Sequence, residues 1–219
     1  MRKAAILGAC ATDTVDRAIR GSLVEFHRRS EVLYYQGDAS ERCYTVLSGR
    51  VRISRVATDG REATLFHALS QSVFGEWGLY GHPTQRDTAE VAEDVRVAVT
   101  PLSVFAGPGQ SDSKLLRALA EHAAARRLDA EARFEAILYR PVRSRLAEFL
   151  IDAARRDGVS EGRGTLIRSR YTHLEIACTV GATRETVTLT LSDMRRRGLL
   201  VIERRRIIVR DLTKLRALV

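Results

Sequence analysis

The chain is poor in the residues that build reactive centres. It has three cysteines, Cys10, Cys43 and Cys178, far apart and with no C-x-x-C spacing among them. That pattern excludes a disulfide framework and gives no zinc or iron–sulfur site; the thiols read as small hydrophobes in a reducing cytosol. No stretch approaches the roughly 18 consecutive apolar residues of a membrane span. The opening residues, Met1 to Ala11, imitate a secretion signal, but their apolar run is short and meets Asp13 and Asp16. The cytoplasm is the expected location, with no membrane partner. P-loop, G-x-S-x-G and clustered metal ligands are all missing, so no enzyme, no cofactor and no metal site is expected. Internal repeats and low-complexity segments are missing too.

What is present is an uneven charge. The 219 residues carry 36 Lys/Arg and 27 Asp/Glu, a net of +9. Residues 140–219 hold 18 of the basic and 9 of the acidic residues, which leaves 18 of each, and no net charge, for residues 1–139. This length accommodates two small domains, and the asymmetry joins a neutral one to a candidate polyanion binder.

The neutral part alternates in the manner of strands from about Leu23 to Thr100. Val32 to Tyr35 runs into a turn at Gln36, Gly37 and Asp38. Tyr44 to Leu47 leads to Ser48 and Gly49, and Val51 to Val56 alternates cleanly. Asp59-Gly60 signals a hairpin with a return strand at Ala63 to Phe66, and Val91 and Val95 to Val99 close the set. Short strands at such spacing imply a sandwich or barrel.

A helix follows. Ser111 and Asp112 can cap it, and Leu115, Leu116, Leu119, Ala123, Ala130, Phe134, Ile137 and Leu138 recur at helical spacing. A helix this long outruns a small sheet, and pairing with a second copy would cover its stripe. Pro141 breaks it. Val142 to Arg156 predicts a further amphipathic helix with Leu146, Phe149 and Leu150 inward, then a loop from Asp157 to Gly164.

The basic end carries the most specific motif. Thr172 to Glu175 forms a capping box, opening a helix through Val180. Gly181 suits a tight turn, Thr183 caps a second helix from Arg184 to about Arg197, and Val187, Leu191 and Met194 give it an apolar face. Leu199 to Ile202, the basic tip Glu203 to Arg206, and Ile207 to Val209 predict a hairpin wing. Helix, glycine-bearing turn and helix make a helix-turn-helix. Thr172, Thr183, Arg184, Glu185, Thr188, Leu189 and Arg205 are the candidate contacts to double-stranded DNA. Arg reads guanine, Glu accepts from cytosine, and Leu touches a thymine methyl. A plain αα-hairpin with a solvated charged face, and a helix-turn-helix that contacts only proteins, are the competing readings.

These motifs resemble the family of the cyclic-AMP receptor protein and the fumarate-nitrate regulator. The resemblance rests on Val180 to Thr188 and on Gly37-Asp38, Tyr44 to Gly49, Asp59 to Glu62 and Phe74 to Glu76. It extends over about Val32 to Val209, and Tyr139 to Leu150 is similar to the hinge of the cyanobacterial nitrogen regulators. It implies an α+β fold: an antiparallel β-roll over residues 1–110, a dimerisation helix over 111–140 and a winged helix-turn-helix over 141–219. It also implies a homodimer on a pseudo-palindromic operator, acting with RNA polymerase, most simply as an activator. Three departures stand out: Leu189 replaces an arginine, Thr190 replaces an aliphatic residue, and the first 20 residues match nothing.

The same resemblance would make Gly75, Glu76, Arg86 and Asp87 an effector pocket, with Glu76 on a ribose hydroxyl and Arg86 on a phosphate. Asp87 stands where the cyclic-AMP binders have serine, and Asp129-Ala130-Glu131 replaces their helix hydroxyls. A carboxylate beside an anion repels it. The favoured expectation is therefore an effector-free regulator in which Glu76 and Arg86 pair with each other; a cyclic nucleotide or 2-oxoglutarate is the alternative. His67 or His82 has the chemistry to ligate a haem, but an isolated histidine is more often a surface or core residue.

Overall fold

The computed structural model describes residues 12–60, 62–105, 113–203 and 206–219. The chain forms two compact units that meet in sequence at Ala130 and Glu131.

The first unit begins with a helix the sequence did not reveal, α1 (Thr12–Arg20), whose Val15 and Ala18 are buried. Six strands follow: β1 (Leu23–His27), β2 (Val32–Tyr34), β3 (Arg42–Val56), β4 (Glu62–Ala68), β5 (Val73–Phe74) and β6 (Thr88–Pro101). They make one antiparallel sheet in the order β1-β6-β3-β4, with β2 on β6 and β5 on β3. The hairpin expected at Asp59-Gly60 joins β3 to β4, with Gly60 at φ 79°.

The turn expected at Ser48 and Gly49 is absent. β3 runs 15 residues straight through it, with register shifts against β6 between Val46 and Val51. Gly49 has φ +87°, and a Cβ there would meet the Asp94 carbonyl oxygen at 2.2 Å. The glycine marks a bulge and a close backbone approach. Val46, Val51, Ile53, Val91 and Val97 are fully buried, and Tyr34, Tyr44 and Phe74 stack beside them with centroids 5.1–6.2 Å apart. Burial pushes the Cys43 thiol up to about 12, so it stays protonated and inert.

Helix α2 (Ser113–Tyr139) has 27 residues, about 40 Å at 1.5 Å per residue. The expected caps Ser111 and Asp112 lie outside the described residues. The stripe needs correction: Leu115 and Leu119 are buried with Ala18, Cys43, Val73 and Ala118 in the unit's own core. Their helical spacing serves the sheet. Left uncovered are Leu116, Leu128, Phe134, Ile137 and Leu138, at 49–65% exposure.

In the second unit Pro141 precedes α3 (Val142–Asp157), on which Leu146 and Leu150 are fully buried and Phe149 packs edge-on to Tyr171 at 5.0 Å. The predicted loop from Asp157 to Gly164 is instead a hairpin, β7 (Gly158–Glu161) and β8 (Gly164–Ile167). Its apolar Leu166 and Ile167 belong to β8, which pairs with a strand some 40 residues later, a partner no local pattern reveals. Then come α4 (His173–Val180), α5 (Arg184–Arg196), β9 (Leu200–Glu203), β10 (Arg206–Val209) and α6 (Leu212–Arg216), with the sheet ordered β7-β8-β10-β9. Ile176, Val187, Leu191, Met194 and Leu215 are the buried centre.

One arginine gathers helix ends here. Arg145 donates from Nε to the Val180 carbonyl (2.8 Å), from Nη2 to that of Gly181 (3.0 Å) and from Nη1 to that of Arg140 (2.6 Å). Longer contacts reach the carbonyls of Ala136 and Ile137. A cation suits carbonyls left unpaired at helix C-termini. Gly181, at φ +67°, lies against the Ile137 side chain.

Candidate nucleic-acid interface

The capping chemistry builds this surface. The Thr172 hydroxyl accepts from the Glu175 amide at 3.1 Å while the Glu175 carboxylate accepts from the Thr172 amide. Val180 ends α4, and Gly181 turns the chain in the left-handed region. The Thr183 hydroxyl then accepts from the Thr186 amide at 3.2 Å, opening α5. Thr172 and Thr183 thus satisfy orphan amides at adjoining helix starts.

Helix α5 splits cleanly into two faces. Val187, Leu191 and Met194 are buried; Arg184, Glu185 and Leu189 are exposed and Thr188 is half-exposed. Thr190, the departure from an aliphatic, donates its hydroxyl to the Thr186 carbonyl at 2.7 Å, so its polar atom is satisfied within the helix.

A cleft of about 430 Å³ is bounded by Thr172, His173, Leu174, Arg184 and the wing residues Ile202 and Ile207. Arg206 is exposed at the wing; Arg205, the expected phosphate contact, lies outside the described residues. Arg163, on the turn between β7 and β8, bonds Glu203 at 2.6 Å and holds that carboxylate below its usual range. The wing's acidic residue is thereby neutralised by a neighbour from the other hairpin.

The effector residues are placed differently from expectation. Glu76 does not pair with Arg86: it is buried, and its Oε1 lies 3.0 Å from His122 Nε2 on α2. Arg86 is exposed, and its backbone carbonyl accepts from Arg55 Nε at 2.9 Å. Asp87 is buried and accepts from Tyr34 Oη and Trp77 Nε1, both at 2.8 Å. Burial raises its pKa against the pull of those two donors. Gly75, at φ +72°, packs against the Tyr44 and Tyr34 rings. Nearby, Arg126 stacks its guanidinium 3.5 Å above the Phe66 ring and donates to the Val73 carbonyl at 3.2 Å. Burial lowers its pKa. Among the described residues no helix is long and apolar enough to cross a membrane.

Residues 24–107 match the model of the cyclic nucleotide-binding domain, and residues 144–218 match that of the Crp-like helix-turn-helix domain. The global nitrogen regulator of Synechococcus elongatus is 31% identical, with 85% of each chain covered. The chain belongs to the CRP/FNR family. Another relative, the CRP-like cAMP-activated global transcriptional regulator of Mycobacterium tuberculosis, is 30% identical over 85% of this chain and 84% of its own. A solved CRP/FNR-family regulator from Thermus thermophilus superimposes with a TM-score of 0.75 at 29% identity, covering 90% of this chain and 97% of the other. This CRP/FNR-family protein is accordingly a transcription regulator with a DNA-binding helix-turn-helix and an α+β fold, and its relatives are regulators rather than enzymes.

Sequence reasoning missed His122, Arg126, Arg163 and His173 as parts of these sites. Each acts on a partner that is close in space and 15–53 residues away in sequence, so no spacing rule signals it.

Proposed function

We propose that this regulator binds a pseudo-palindromic operator as a homodimer, reads it with α5, and activates transcription with RNA polymerase, without a small effector. The observation that carries the DNA reading is the row of exposed Arg184, Glu185 and Leu189 with half-exposed Thr188. It begins at a capped helix start, in the region that holds the whole net charge of +9. Helix N-termini and arginines meet phosphates and base edges together. Homodimerisation is supported by the uncovered Phe134, Ile137 and Leu138 of α2. In this reading residues 1–110 form the β-roll, 111–140 the dimer helix and 141–219 the reader, in the cytoplasm.

Effector independence is supported by the engagement of the would-be ligand groups. Glu76 is held by His122, and Asp87 by Tyr34 and Trp77. One observation favours the second reading, a cyclic-nucleotide or 2-oxoglutarate response: Arg86 stays exposed, where a phosphate or carboxylate could meet it. Calorimetric titration with cyclic AMP, cyclic GMP and 2-oxoglutarate separates the two, and silence with all three is expected.

Mobility shift over several salt concentrations tests the central reading. Phosphate contacts release counterions, so log affinity should fall linearly and steeply with log salt. A flat response would sink it.

A further inference from the structure

The row that α5 presents is half hydrocarbon. Leu189 is 72% exposed and Leu174, at the start of α4, is 56% exposed. A single exposed leucine asks for no explanation. What gives Leu189 meaning is its neighbour. The Thr188 hydroxyl has one proton, and it goes to the Arg184 carbonyl at 2.9 Å. The contact between that hydroxyl oxygen and His173 Nδ1, at 2.8 Å, then requires the imidazole to donate. Both of these hydroxyl bonds are internal, which leaves the methyl as the part of the half-exposed Thr188 side chain not engaged in hydrogen bonding.

We infer that α5 recognises thymine by its C5 methyl, with Leu189 and the Thr188 methyl as the reading groups and His173 as the positioning residue. The inference rests on the DNA reading above and deepens it. In the major groove only thymine offers a methyl; the other bases offer donors and acceptors alone. Two adjacent apolar groups on one helix face would meet a hydrogen-bonding base edge only at the cost of desolvating it. Beside a thymine methyl they lose nothing. Affinity would still come from the arginines and phosphates, and the methyl contacts would select the base.

The test uses the full-length protein and duplexes that it enriches from a random library. Each thymine is then replaced singly by deoxyuridine, which keeps the pairing and the O4 acceptor and removes only the methyl. Affinity should fall about fourfold at one or two positions per half-site, as for the loss of one buried methyl-sized group. Leu189→Ala should abolish that fall at one of these positions. Thr188→Val should bind thymine duplexes at least as tightly as wild type, and Thr188→Ser should treat thymine and uracil alike at the other position. His173→Asn keeps a donor near the Nδ1 position and should retain the discrimination that His173→Ala weakens. Affinity unmoved by uracil everywhere would overturn methyl recognition while sequence selectivity left the DNA reading standing. Thr188→Val weakening thymine and uracil duplexes equally would return the hydroxyl to base contact and overturn the Thr188 assignment. Failure to enrich any sequence would overturn the underlying reading itself.

Discussion

The two units treat polar groups in opposite ways. Ten of the eleven buried polar or charged residues among the described ones lie before residue 131, and Ser144 alone lies after it. The first unit turns its chemistry inward: Glu76 onto His122, Asp87 onto Tyr34 and Trp77, and Arg52 onto Glu62 and Glu90. The second keeps an apolar centre and leaves Arg184 and Glu185 exposed. Buried polar groups that satisfy one another are spent; those facing solvent next to helix starts remain available to a partner. The contrast separates a unit that uses its polar groups on itself from one that is held by an apolar centre and leaves polar groups to a partner.

Substitutions can break that contrast, and the most damaging should be Leu119→Glu. It buries a charge in the first core and should cost on the order of 4–5 kcal/mol or unfold the unit, seen by chemical denaturation. Phe134→Glu, on exposed α2, should leave folding intact and give monomers in sedimentation; an unchanged dimer would remove α2 as the seam. Asp87→Ala strands the Tyr34 and Trp77 donors and should cost about 1–3 kcal/mol, with no change in salt-dependent DNA affinity. Arg184→Ala should do the reverse, leaving stability intact and costing about 1–3 kcal/mol at one base pair. Equal losses on operator and random DNA would refute the base contact, whereas that uniform loss is what Arg205→Ala should show.

The smallest effect concerns Glu62. Burial alone would raise its pKa, but hydrogen bonds from Ser54 and Arg52 leave it lowered from 4.5. A depressed folded value means stability that is present above the unfolded pKa and lost as pH falls through the folded one. Melting temperatures of wild type and Glu62→Gln should therefore differ at neutral pH and converge in acid below that range.

Where a feature depends on neighbours within one turn, the sequence was readable. The Thr172 and Glu175 box, the Gly181 turn and the Thr183 cap are all of this kind, as is Asp59-Gly60. Three features escaped for a shared reason. The β7–β8 hairpin is pinned by β10, the Glu76–His122 pair spans 46 residues, and α1 packs on core residues far from it in sequence. Leu119 failed differently: leucines that face a sheet and leucines that face a partner helix repeat at the same period, so spacing cannot tell which surface they serve.

Arg145 carries a mechanical consequence. By holding the carbonyls of Arg140, Val180 and Gly181 in one grip, and Ile137 against Gly181, it makes the last turn of α2 a handle fixed to the helix-turn-helix. A pull on that last turn therefore bears directly on the Val180–Gly181 corner between α4 and α5.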